Sequence, residues 1–232
     1  MDWKGFWNDF ARRYPEQDFC FQVGRFSRGR GTDEAELTLT VAQVHDGLSL
    51  CRRDRVLDLC CGNGLLTARY ADLVESTVGV DFSQELLRIA RRYHCPPGVS
   101  YVLAAVEDLS PGLFPDGGGF DKVSMFESLQ YFRPETFGVL LERIADIVSP
   151  EHRLYFSGVL DLARIDRFLD TPERRRRFEE QAAQGQHEMG HWWTREAIAR
   201  VAHQRGYHVE FRDQHPRLNT AHYRFDLLLV AS

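Results

Sequence analysis

No stretch of this 232-residue chain approaches the roughly 18 to 20 uncharged apolar residues that a membrane span requires. Met1-Asp2-Trp3-Lys4 is not followed by the short apolar run of a secretory leader, so the cytoplasm is the expected compartment. Cysteine is scarce and badly spaced for crosslinking. Cys20, Cys51, Cys60, Cys61 and Cys95 form an odd set without a C-x-x-C pair, which argues against a disulfide framework and a structural zinc site. No thiol lies beyond Cys95, so the C-terminal half cannot supply a thiolate trio. Positive charge is not in excess either. The net formal charge of −5 gives no general attraction to phosphate backbones, and neither nucleic acid nor membrane is an expected partner. Lysine is nearly missing, with Lys4 and Lys122 alone, and arginine carries the remaining basic charge.

What the chain does have is 43% apolar residues, enough for one α/β domain with a modest cap. Phe6, Trp7, Phe10 and Tyr14 make the apolar face of a helix predicted over 6–14, followed by a Gly- and Arg-rich connector at 22–31. Leu37, Val41, Val44 and Leu48 repeat at helical spacing. From residue 55 strands alternate with helices. The pattern predicts strands over 55–59, 77–81, 99–104, 120–125 and 154–159, with helices over 65–73 and 84–93. Ser83 stands where an N-cap belongs, with Glu85 in the first turn. A third helical stripe runs through Phe137, Leu140, Leu141, Ile144, Ile147 and Val148, and Ser149-Pro150 is expected to stop it. Residues 160–193 read as a charged helical insertion. A helix (194–205) and two strands (207–213 and 223–231) follow, and the last connector is too short for a crossover, which demands an antiparallel hairpin. Such alternation implies right-handed crossovers and a mostly parallel sheet.

The chemistry starts at Asp58-Leu-Cys-Cys-Gly-Asn-Gly64, where a strand ends, the chain turns tightly, and a helix is expected to open at Leu65. Glycines let the backbone approach a ligand, and a helix amino terminus offers free N–H groups. Open α/β sheets place ligands here, beyond the carboxyl ends of their strands. The dinucleotide fingerprint would need a third glycine where this chain has Thr67, which disfavours a nicotinamide cofactor. The run Val56-Leu-Asp-Leu-Cys-Cys-Gly-Asn-Gly64 instead resembles the glycine-rich signature of class I S-adenosylmethionine-dependent methyltransferases, small-molecule type, with Cys60 where the family has its first glycine. The resemblance implies that Asp58 orients the loop and the methionine amine, with Cys60, Gly62, Asn63 and Gly64 forming the turn. Asp81, 23 residues further on at a strand end, would accept the ribose hydroxyls, and Phe82 would wall the adenine. Ala104-Ala-Val-Glu-Asp-Leu109 resembles the segment that holds the adenine, but Ala105 replaces the usual aspartate. Glu107 or Asp108, or a backbone carbonyl, would take its place, with the Val106 amide donating to the ring. The two acids suit a helix cap equally well.

Methyl transfer is an in-line displacement on an already activated donor, so alignment is the main requirement and a strong catalytic signature is not expected. Phe126-Glu-Ser-Leu-Gln-Tyr-Phe132 follows the fourth strand and, by the resemblance, faces the sulfonium and the acceptor. Glu127, Gln130 and Tyr131 are candidate contacts there, Glu127 as base or as structural hydrogen-bond partner, with Phe126 beside the cofactor. His187 and His191 sit at i, i+4 before Trp192-Trp193. Together with His222 they are candidate bases or acceptor anchors, and without a third ligand no metal is expected. Thr171-Pro-Glu opens a helix whose four arginines read as a solvated face balanced by acids. In such an amino-terminal extension Gln22 and Arg25 could reach the methionine carboxylate.

The expected fold is a doubly wound seven-stranded α/β sheet, five parallel strands plus an antiparallel C-terminal pair, with helices on both faces. Residues 1–49 form a helical lid, 50–159 and 194–232 the cofactor-binding core, and 160–193 a substrate cap. The expected activity is transfer of the methyl of S-adenosyl-L-methionine, leaving S-adenosyl-L-homocysteine, to a hydroxyl of a sugar or secondary metabolite in natural-product biosynthesis. Nitrogen or carbon as acceptor, and a non-catalytic cofactor-binding module, are the alternatives. The expected partner is the small-molecule acceptor, with a homodimer as a further option.

Overall fold

The computed structural model describes residues 3–27, 29–184 and 189–231. The amino-terminal aromatic stripe forms α1 (Trp3–Ala11), three residues earlier than the spacing predicts. The connector is not featureless: α2 (Phe19–Gln22) and a small ribbon of β1 (Phe26–Ser27) and β2 (Arg30–Gly31) occupy it. Then α3 (Glu34–Leu48) starts at Asp33, whose side chain accepts from the Glu36 amide. The alternating section gives β3 (Arg55–Leu59), β4 (Ser76–Asp81), α4 (Gln84–Tyr93), β5 (Val99–Leu103), β6 (Phe120–Phe126), α5 (Pro134–Ala145) and β7 (Val148–Leu160). The insertion holds α6 (Ile165–Phe168) and α7 (Pro172–Ala183), and the chain closes with α8 (Arg195–His203), β8 (Tyr207–Asp213) and β9 (Arg224–Ala231). Ser83 caps α4 as expected, its hydroxyl accepting from the Leu86 amide.

The sheet order is β5-β4-β3-β6-β7-β9-β8. β9 pairs antiparallel with both β7 and β8, so β8 runs with the first five strands and only the last strand is reversed. Period-two alternation sends side chains to two faces. Leu154 and Phe156 of β7 and Leu227 and Leu229 of β9 join the core under α5 and α8. Tyr155 and Leu228 point the other way, into the core under α3 with Leu37, Val44 and Leu48. No helix among the described residues is long and apolar enough to cross a membrane.

Two expectations change. Residues 65–73 do not form an α-helix; they make tight turns around a 3₁₀ segment at Thr67–Tyr70. The Thr67 hydroxyl is held by Asp58, and the Tyr70 ring is fully buried, so tertiary ties draw this stretch inward against its helix propensity. Ser149-Pro150 does not stop the helix either, since α5 ends at Ala145 and Pro150 lies within β7. The ladder skips from Phe120↔Val148 to Lys122↔Arg153, so Pro150 falls in an irregularity where its missing N–H is tolerated.

Helix α3 lies so close to the sheet that a Cβ at Gly47 would run into the ring of Tyr155. That ring cannot swing away, because its hydroxyl donates to Asp226 at 2.7 Å. Alanine would add about 1 kcal/mol of helix propensity, against about 1 to 3 kcal/mol for overpacking. Urea unfolding of Gly47→Ala should therefore show a net loss of up to about 2 kcal/mol; a gain would contradict the close packing.

Candidate active site

Asp58 and Asp81 close neighbouring parallel strands, and both are buried where β3 and β4 deliver the chain into the glycine loop. Asp58 is satisfied from two directions: Thr67 Oγ1 donates at 2.6 Å and Ser124 Oγ at 2.8 Å. Ser124 is its registered neighbour on β6, so the pleat itself supplies that partner. Asp81 ties the loop to α4, accepting from the Gly62 amide at 2.9 Å and the Ser83 amide at 2.8 Å. Burial pushes both carboxyls up to about 6, and the hydrogen bonds only partly offset it.

The loop between them is strained at one point. Cys60 has φ +54°, in the left-handed region that a residue with a Cβ adopts at a cost. This is the position where a glycine belongs in the resembled signature. Burial pushes the Cys60 thiol well up, so it stays a neutral wall. Gly62 also has positive φ (+57°) and faces the lid, where a Cβ would come within 2.9 Å of Val23.

Above the loop lies a cavity of about 570 Å³, within the range usual for small-molecule sites. Its floor includes Asp58, Cys60, Gly62, Asn63, Asp81 and Phe82. Trp3, Phe6, Trp7 and Phe10 of α1 form an aromatic wall, and Trp3 contacts Tyr131 at 4.5 Å between ring centroids. Arg25 reaches down from the segment before β1, stacked 5.6 Å over Phe126 and 3.7 Å from the Glu127 carboxylate. Glu127 has φ +43°, and its amide donates to Ser157 at a break in the β7–β9 ladder. Asp226 holds that break, accepting from Ser157 Oγ at 3.0 Å and the Gly158 amide at 2.8 Å. Burial raises the Glu127 carboxyl, but Arg25 and Arg224 more than reverse this and hold it below its usual range. Burial pushes the Tyr131 phenol up to about 12, so it is a neutral donor at physiological pH.

The cavity thus gathers Arg25, Asp58, Cys60, Gly62, Asn63, Asp81, Phe82, Phe126, Glu127, Tyr131 and His222. Other expected residues stand elsewhere. Gln22 is fully buried behind the loop, where its Oε1 accepts from Asn63 Nδ2 at 2.9 Å and its Nε2 donates to the Pro15 carbonyl. It pins the lid to the loop rather than lining the cavity. Gly64 packs against Tyr101, whose hydroxyl a Cβ would strike. Val106 is buried and Glu107 exposed on a 3₁₀ turn, and neither lines the cavity. The His191 ring packs edge-on to Trp193 at 4.7 Å, outside the lining. His187 lies outside the described residues. Sequence reasoning missed Thr67 and Ser124, and also Arg224, which is 3% exposed and lines the cavity. Only the rule that a buried carboxylate needs donors could have pointed to the first two.

Sheet order, switch-point loop and carboxylate-ended strands define a Rossmann-like domain of the class I methyltransferase type. Residues 56–151 match the model of a methyltransferase domain, and over that stretch the chain is similar to class I S-adenosylmethionine-dependent methyltransferases. The chain is 32% identical over 105 residues to the ubiquinone biosynthesis O-methyltransferase of Xanthomonas axonopodis pv. citri (strain 306), a stretch covering 44% of this chain and 42% of that one. It therefore spans less than half the length of the curated relatives it matches. Magnesium protoporphyrin IX methyltransferase of Synechocystis PCC 6803 superposes with a TM-score of 0.64 at 17% identity, covering 99% of this chain and 98% of that chain. The cyclopropane synthase MmaA2 of Mycobacterium tuberculosis superposes at 0.68 with 14% identity, covering 90% and 88%. At such identities these structures share the fold.

The left-handed Cys60 yields a test independent of activity. Cys60→Gly and Cys60→Ala both remove the sulfur, but only glycine relieves the backbone. Denaturant unfolding should find the glycine variant more stable than the alanine variant by about 1 kcal/mol; the reverse order would show that the turn is not strained.

Proposed function

We propose that this chain methylates a small-molecule hydroxyl, holding S-adenosylmethionine across the β3 and β4 carboxylates. The observation that carries the proposal is the opposition of Asp58 and Asp81 to Arg25 within one cavity. The donor groups fit the cofactor part by part. Asp81 offers carboxylate oxygens to the ribose hydroxyls, and Phe82 an apolar wall to the adenine. Asp58 offers a carboxylate to the methionine amine and Arg25 a guanidinium to its carboxylate. When bound, S-adenosylmethionine supplies an electrophilic methyl group and leaves as S-adenosylhomocysteine.

The protein's own contribution is alignment and exclusion of water. The aromatic wall of α1 covers the cavity and supports a flat, largely apolar acceptor, such as a phenolic secondary metabolite. Oxygen as acceptor agrees with the similarity to ubiquinone biosynthesis O-methyltransferases. Arg25 and Arg224 hold the Glu127 carboxyl below its usual range, which makes it a weak base, and Tyr131 keeps its proton, so each orients the acceptor rather than removing its proton. His222 lines the cavity from an exposed position and can pass the hydroxyl proton to water.

Calorimetry with S-adenosylhomocysteine tests the cofactor end. Both carboxylates must be ionised to accept from the ribose and the amine, and burial holds both near pH 6. Because these pKa values are raised, the unliganded protein keeps protons that the unfolded chain has lost between about pH 4 and 6. The two groups therefore lower folding stability as pH rises through that window, and ligand binding works against their protonation. Affinity should climb about ten-fold between pH 5 and pH 7 for each carboxylate that must ionise. Asp81→Asn should weaken binding about 10- to 100-fold, the worth of a hydrogen bond to a charged group. Absence of binding to the wild type, or unchanged affinity in Asp81→Asn, would overturn the assignment.

A further inference from the structure

Resting on that reading, we infer that the methyl acceptor carries a carboxylate and that Arg224 is the residue that recognises it. Arg224 opens β9 and is almost wholly enclosed, 3% exposed, yet its side chain forms part of the cavity lining. Its Nη1 donates to Gln130 Oε1 at 2.9 Å and to the Gly158 carbonyl. Its Nε–H is buried with no acceptor. A buried guanidinium held on neutral carbonyls, with a donor left over, is costly unless an anion completes it.

The surrounding charges leave that anion to be supplied from outside. Among the described residues, no carboxylate lies within ion-pair distance of Arg224. Asp226 accepts instead from Tyr155, Ser157, Gly158 and Gln214. Asp161, just past the end of β7, is taken by Arg164 and Arg195. Glu127 is the one acid that acts on Arg224 through space, and it pairs more closely with Arg25. Two guanidiniums thus share one carboxylate. Once Arg25 turns to the methionine carboxylate and Asp58 to the amine, Glu127 balances Arg224 only from outside ion-pair distance, and the Arg224 Nε–H still has no acceptor.

The shape of the site narrows the anion. Arg224 lies 5.4 Å from the Tyr223 ring, with Phe168 5.1 Å beyond that ring. The aromatic residues of α1 line the same cavity. A flat apolar body with one negative end fits this arrangement. A carboxylate suits a guanidinium because two planar groups can share more than one hydrogen bond. The acceptor class is therefore an aromatic hydroxy acid, anchored by its acid group while its hydroxyl faces the cofactor end.

The test uses the full chain saturated with S-adenosylhomocysteine. Para-hydroxybenzoate, para-hydroxycinnamate and a hydroxynaphthoate are each compared with the primary amide, by calorimetry at neutral pH. The acids should bind about ten-fold or more tightly than the amides, as expected for a charge-assisted contact. Arg224→Met should erase the preference, Arg224→Lys should keep part of it, and Glu127→Gln should strengthen it by removing the competing negative charge. Equal binding of acid and amide, failure of every acid to bind, or a preference that survives Arg224→Met would overturn the inference. Should Arg224→Met lose S-adenosylhomocysteine through misfolding, Glu127→Gln decides, and an unchanged or weaker acid preference then overturns it. Failure of the wild type to bind S-adenosylhomocysteine would instead strike the parent reading.

Discussion

Two carboxylates buried at the ends of adjacent strands set the terms for this molecule. Asp58 and Asp81 cannot be left bare in a low-dielectric site, so the chain around them is shaped to supply donors. Thr67 is drawn inward to meet Asp58, which is why the stretch after the loop tightens into 3₁₀ turns. The Gly62 and Ser83 amides meet Asp81, which fixes the loop against the start of α4. Even so, both groups keep raised pKa values. Burial outweighs the donors that the protein provides.

The walls of the cavity are fastened to this seat by other buried polar contacts. Asn63 joins the loop to Gln22 and the Phe19 carbonyl, and Asn8 joins α1 to Ser83. The loop and the amino-terminal helices are thus one hydrogen-bonded unit. Across the cavity Asp226 fixes the irregularity at Ser157 and Gly158, which receives the left-handed Glu127, which in turn faces Arg25. Backbone strain at Cys60 and Glu127 frames the cavity on both sides, in keeping with the tendency of strained residues to collect at working sites.

Much of the scaffold was legible because local signals agreed with the tertiary demand. The Ser83 cap with an amphipathic repeat gave the Gln84–Tyr93 helix its bounds, and the Tyr207–Asp213 strand emerged from its apolar alternation. The loop was legible as a tight turn because its glycines take positive φ there. What escaped had long-range causes. Nothing near Thr67 or Ser124 announces that each will donate to Asp58, nine and 66 residues away from it. Arg224 carries no local signal, because only the sheet order sets β9 beside β7 and brings it to the cavity lining. Gln22 was placed in the right neighbourhood but in the wrong role, since burial against Asn63 decides which way its amide points.

The central claim is that the two strand-end carboxylates are the seat of the cofactor, and carboxyl-selective carbon NMR titration tests it most directly. In the unliganded protein both carboxyls should titrate near pH 6. Adding S-adenosylhomocysteine should move both midpoints downward, as donors from the ligand stabilise the charged forms. Titration of both groups near the ordinary aspartate value, with no movement on adding the ligand, would contradict the account.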